Sequence, residues 1–105
     1  MTDNVRKKVE ATLDSAGDAT AWISATHEGK AGQEFPRLDI SIACSSDWVG
    51  TIKLQKTIDS GVTAHDVEEW TEDAQDYLED SIVGVLFRLY CSARSAGEAD
   101  VMLYK

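Results

Sequence analysis

Between Lys56 and Arg88 the chain carries Asp59, Asp66, Glu68, Glu69, Glu72, Asp73, Asp76, Glu79 and Asp80, and not one Lys or Arg. Such a run suits four kinds of chemistry: calcium ligation, imitation of a nucleic-acid backbone, a face for a basic partner, or a solvated surface that keeps the chain soluble. Calcium loops of the helix-loop-helix kind place oxygens at alternate positions around a glycine. No glycine lies between Asp66 and Asp80. His27 and the pair His65-Asp66 have the residue types of a hydrolytic triad, but no serine sits in a GxSxG elbow that would aim it at them. Cys44 and Cys91 stand alone, without a CxxC or His-rich neighbour, so sulfur ligation of zinc is not indicated. The one dense basic cluster is Arg6-Lys7-Lys8, flanked by Val5 and Val9.

These residues must be positioned by a single small domain. The chain has 105 residues and a formal charge of −9, from 10 Lys and Arg against 19 Asp and Glu. A surplus of that sign opposes direct binding to phosphate backbones. No apolar run reaches the roughly 18 residues of a membrane-spanning helix, and residues 1–8 lack the apolar segment of a secretory signal. The expectation is therefore a cytoplasmically made chain with no membrane contact, no cofactor and no metal.

Period-two alternation dominates the elements. Leu38, Ile40, Ile42 and Cys44 share one face of a strand, and Arg37, Asp39 and Ser41 the other. Thr51 to Thr57 alternates again with Ile52 and Leu54 inward, and the two strands are expected to form a hairpin. Asp59-Ser60-Gly61 reads as the next turn. A short β-prone run covers Ala21 to Thr26, a central strand covers Gly84 to Ser92, and a closing strand covers Ala99 to Tyr104. Asp66 to Asp80 reads two ways: Val67, Trp70, Ala74, Tyr77 and Leu78 fall at helical spacing, while Asp66 to Trp70 also suits a strand leading into an acidic loop. Residues 1–18 are equally divided between helix and strand patterns and are expected to form an N-terminal arm that orders on a neighbour. Residues 19–105 would then form the folded domain, an all-β sandwich or small barrel.

The segments Leu38 to Cys44, Trp48-Val49-Gly50-Thr51-Ile52-Lys53-Leu54-Gln55-Lys56-Thr57, Asp59-Ser60-Gly61 and Gly84-Val85-Leu86-Phe87-Arg88-Leu89 together resemble a family of small β-sandwich virion proteins of tailed bacteriophages. In that family a W-x-G-T-[VI]-x-[LV]-Q-[RK]-[ST] strand runs into a D-x-G turn, and a G-V-L-[YF]-R-[LV] strand follows. The resemblance implies an immunoglobulin-like antiparallel β-sandwich of six to eight strands. It implies a non-enzymatic structural part of the particle, a head decoration or accessory protein that contacts the major capsid protein or other virion proteins, as a homo-oligomer. It also favours strand plus loop for Asp66 to Asp80, although that stretch is more acidic than the family pattern. By elimination the partner-binding residues would be Val5, Arg6, Lys7, Lys8 and Val9. In such a sandwich Cys44 and Cys91 either meet as an inter-sheet disulfide or remain two reduced, buried thiols; a cytoplasmically assembled particle favours the thiols.

Thr57-Ile58-Asp59-Ser60-Gly61-Val62-Thr63 also looks like part of the Asp-box turn of sialidases, in a single copy with Ala64 where an aromatic usually stands. One copy is a turn and carries no glycosidase expectation. Two other functions compete with the virion reading. An acidic inhibitor that imitates DNA would use the cation-free stretch, and a carbohydrate-binding module would need Trp22, Trp48 or Trp70 as an exposed stacking platform.

Overall fold

A computed structural model describes residues 8–25, 37–79 and 84–105. They form eight strands: β1 (Lys8–Leu13), β2 (Ile23–Ser24), β3 (Arg37–Cys44), β4 (Val49–Thr57), β5 (His65–Trp70), β6 (Ala74–Glu79), β7 (Leu86–Ala96) and β8 (Ala99–Tyr104). Two four-stranded sheets result, in the orders β1-β8-β3-β6 and β2-β7-β4-β5. All pairings are antiparallel. The expected antiparallel β-sandwich is therefore present.

Its strand order has a simple logic. β1 pairs with β8, β2 with β7, β3 with β6 and β4 with β5, so the chain is one long hairpin folded at the β4–β5 turn. Rolling that ribbon adds the pairs β3–β8 and β4–β7 and closes the two sheets. This is the winding of a jelly roll, and it differs from the immunoglobulin order, in which the first and second strands are neighbours.

The alternation read from sequence in β3 and β4 is met by the same pattern in β7 and β8, and together they build the core. Leu38, Ile40 and Ile42 of β3, Ile52 and Leu54 of β4, Phe87, Leu89 and Cys91 of β7, and Ala99, Val101 and Leu103 of β8 are all buried between the sheets.

Three expectations change. β3 and β4 do not form a hairpin, because they lie in different sheets. The connection 45–48 arches across the sandwich edge, with Ser45 N donating to Glu98 O at 2.8 Å and Trp48 N to Ser45 O at 3.0 Å. A hairpin and an arch share the same period-two pattern, so only the partners of each strand separate them. Second, Asp66 to Glu79 is two strands joined by residues 71–73, not a helix: the strand read over Asp66 to Trp70 is present within β5, but a second strand, β6, stands where the loop was expected; Asp80 lies outside the described residues. Each strand finds an edge to join, β5 on β4 and β6 on β3, and that pairing outweighs the local helical spacing. Third, the arm is not an arm from Lys8 onward. Val9, Ala11 and Leu13 face inward opposite Leu103, Val101 and Ala99, and Leu13 is wholly buried. A turn then fixes the chain: Asp14 N donates to Asp18 Oδ2 at 3.1 Å, and Gly17 N to Cys91 O at 2.8 Å. Nothing divides the domain at residue 18.

Candidate functional site

The β4–β5 turn is the most densely bonded part of the motif. Thr57, wholly buried, donates its hydroxyl to Asp59 Oδ1 at 2.7 Å and accepts Gly61 N at 2.9 Å and Asp59 N at 3.3 Å. Asp59 Oδ1 also accepts Thr63 N at 2.9 Å. The Thr57 hydroxyl and then the Thr63 N–H hold the Asp59 carboxyl down to about 2. Ser60 and Gly61 take positive φ, 62° and 91°, which lets the chain reverse within this loop. The Thr, Asp and Gly of the Asp-box pattern thus have a structural task, the closing of the ribbon's fold point. Ile58 and Val62 stand exposed at the tip.

On the outer face of the β2-β7-β4-β5 sheet, polar side chains from three strands are linked. Lys53 Nζ meets Asp66 Oδ2 at 3.0 Å, Gln55 Nε2 donates to Asp66 Oδ1 at 3.0 Å, and Arg88 Nε donates to Gln55 Oε1 at 3.0 Å. The Arg88 guanidinium lies over the Trp22 ring at 4.5 Å and near the Tyr90 ring at 5.2 Å. Bonds from Gln55 and then Lys53 depress the Asp66 carboxyl, and Asp66 in turn raises the Lys53 ammonium. Sequence reading missed this network. Its members are the outward residues of the alternating strands, and only the registers of β4 with both β5 and β7 bring them together.

The outer face of the other sheet holds a shallow groove of about 350 Å³ whose lining includes Glu10, Thr12, Ser41, Ala43, Asp100 and Met102. Its polar atoms partner one another or their neighbours: the Thr12 hydroxyl donates to Asp100 Oδ1 at 2.7 Å, and Gln75 Nε2 to Ser41 Oγ at 2.9 Å.

The acidic stretch becomes one lateral side of the sandwich, because β5 and β6 are edge strands of different sheets joined directly to each other. Asp73 in their connection accepts Cys44 N at 2.8 Å and so ties this side to the end of β3. Among the described residues no group of three or more His, Cys, Asp or Glu is placed to hold a metal ion.

The residues singled out from sequence fare differently. Val5, Arg6, Lys7 and His27 lie outside the described residues. Lys8 is exposed on β1 and pairs with Glu10 at 3.2 Å, and Val9 is half-buried against the core. His65 is exposed on β5, opposite Lys56. Cys44 and Cys91 are free, on different sheets; Cys91 is buried and Cys44 half-buried. Burial, then the carboxylates of Asp73 and Glu72, pushes the Cys44 thiol up to about 11, and burial raises Cys91 as well, so both stay protonated and unreactive near neutrality. The tryptophans are engaged in packing. Trp48 and Trp70 lie against the core, and Trp22 lies between Arg88 and Gly61, whose backbone leaves a Cβ only 3.0 Å from the indole nitrogen. Comparison with family models, curated proteins and solved structures finds no match.

Proposed function

We propose that this chain is a structural, non-enzymatic component of a tailed-phage virion, a head decoration or accessory protein that binds the major capsid protein or another shell component and adds contact area against the pressure of packaged DNA. The observation that carries the reading is that the separated segments of the resemblance interlock. Gln55 of the second segment accepts from Arg88 of the last, Thr57 closes the Asp59-Ser60-Gly61 turn, and Trp48 packs over Gly50. The motif is thus explained as architecture, which is what a family defined by its scaffold requires. Eight-stranded jelly rolls also build viral capsid domains, a fold-level analogy that agrees with the reading but also embraces lectins and cupins.

A second reading, an acidic inhibitor that imitates DNA, is favoured by one observation: the cation-free stretch is gathered on a single lateral side by β5 and β6. Density-gradient fractionation of a lysate from the producing system separates the two. Co-migration of the chain with particles, persisting in high salt, is the expected result. Recovery only among free proteins, with salt-sensitive capture by a DNA-binding enzyme, would overturn the virion reading in favour of the second.

A further inference from the structure

The sandwich has four sheet edges, and among the described residues they are not equally protected. β5 places Glu68 opposite Leu54, and β6 places Asp76 opposite Ile40, so each carries a carboxylate on its core-facing side. Asp76 Oδ1 also takes up Tyr77 N at 2.8 Å, and the β4–β5 ladder is interrupted by a bulge between Leu54 and Gln55. These are the devices by which proteins discourage edge-to-edge pairing. β2 is only two residues long. β1 has six residues, no Gly or Pro, no register shift against β8, and no charge on its core-facing side. There Val9 and Ala11 remain only partly covered.

We propose that β1 pairs antiparallel with β1 of a second copy, across a two-fold axis at Ala11, to make one eight-stranded sheet. Residues directly opposite in an antiparallel pair share a face, so registers that set Lys8, Glu10 or Thr12 opposite Val9, Ala11 or Leu13 mix polar and apolar sides and are excluded. Centring on Glu10 opposes two glutamates. Centring on Val9 sets Lys8 opposite Glu10, the carboxylate that it already meets within its own strand at 3.2 Å. Centring on Ala11 sets Val9 opposite Leu13 on the core side and Glu10 opposite Thr12 outside, and brings Lys8 to Asp14, the first residue beyond β1, at each end, with the smallest side chain of the strand on the axis. The occupant is chosen by that self-complementarity, which a symmetric interface requires. The inference does not rest on the virion reading, since a free soluble protein would dimerise in the same way.

Sedimentation equilibrium of the full chain from ~1 μM to ~1 mM, the range of modest protein affinities, is the test. The expected mass rises from 11.5 kDa to twice that value. Lys8→Glu sets two like-charge contacts against each other by symmetry and is expected to weaken the dimer by roughly tenfold or more. The swap Lys8→Glu/Asp14→Lys restores it, while Lys56→Glu, an equal change in net charge at an exposed residue of β4, leaves it unaltered. Lys8 is exposed, and circular dichroism on each variant verifies the fold. A monomer at every concentration, a different oligomer, or a dimer indifferent to Lys8→Glu overturns the proposal.

Discussion

The two ends of the sandwich are both hydrogen-bonded, but they differ in how much room they leave. At one end of β4 the turn after Thr57 is held by hydrogen bonds, with a buried hydroxyl at its centre and a carboxylate accepting around it. At the other end, before Val49, the arch 45–48 meets the β7–β8 connection, where hydrogen bonds such as Ser45 N to Glu98 O at 2.8 Å and Glu98 N to Ser45 Oγ at 3.0 Å are joined by tight steric contact. A Cβ on Gly97 would lie 2.6 Å from Ser45 Oγ and from Trp48 Cα, and a Cβ on Gly50 would lie 2.6 Å from Ala93 O and from the Trp48 ring. Hydrogen bonds lost at the first end are partly replaced by water. Volume added at the second end has nowhere to go. The packed end should therefore be the less forgiving.

The largest expected effect is at Gly97. Gly97→Ala adds a methyl into backbone and forces an L-residue to hold φ 77°, so both overpacking and backbone strain act together. A loss of roughly 2–5 kcal/mol is expected in urea unfolding. A loss below ~1 kcal/mol would show that the arch can relax, and would erase the distinction between the ends. Thr57→Val ranks next. It keeps the shape but removes the hydroxyl, leaving Gly61 N without its acceptor, for an expected cost of about 1–3 kcal/mol by the same measurement. A cost equal to or above that of Gly97→Ala would invert the comparison.

The difference between the ends also explains what was legible in the sequence. The hydrogen-bonded turn was readable because its chemistry is local: Thr57, Asp59, Gly61 and Thr63 lie within seven residues and bond to one another. The inward faces of β3 and β4 were readable for the same reason, since alternation is a property of one strand. The arch was not, because its closure depends on Gly97, some fifty positions away from Ser45 and Trp48. A polar connection between two alternating strands looked like a hairpin until β3 was seen to pair with β6 and β8 instead. Lys8 to Leu13 likewise needed β8 to become a strand, and the link from Gln55 to Arg88 needed both registers of β4. Of the partner-binding set, only the place of Lys8 and Val9 on β1, a sheet edge among the described residues, emerges.

The charge at the bonded end gives a third test, smaller in effect and specific in its pH range. Asp59 titrates near 2 in the fold against an ordinary value of 3.8, so its contribution is fully present above about pH 4 and disappears as pH falls through 2. Replacement by an uncharged isostere removes that pH dependence without removing an acceptor oxygen. Asp59→Asn should therefore narrow its stability deficit relative to wild type between pH 4 and pH 2 in urea titrations. A deficit that stays constant over this interval would mean that the carboxylate's charge is not what the turn uses.

The smallest expected effect sharpens the steric end. Trp48 Nε1 is buried without a hydrogen-bond acceptor among the described residues, while its ring packs over Gly50. Trp48→Phe gives up part of the ring's buried area, roughly 1 kcal/mol at about 25 cal/mol per Å², and relieves an unsatisfied donor that costs about 1–3 kcal/mol. The two nearly cancel, so a change of less than ~1 kcal/mol in either direction is expected from denaturant midpoints. A loss of several kcal/mol would mean that the indole nitrogen is satisfied, and that its hydrogen bond belongs with those that already close this end.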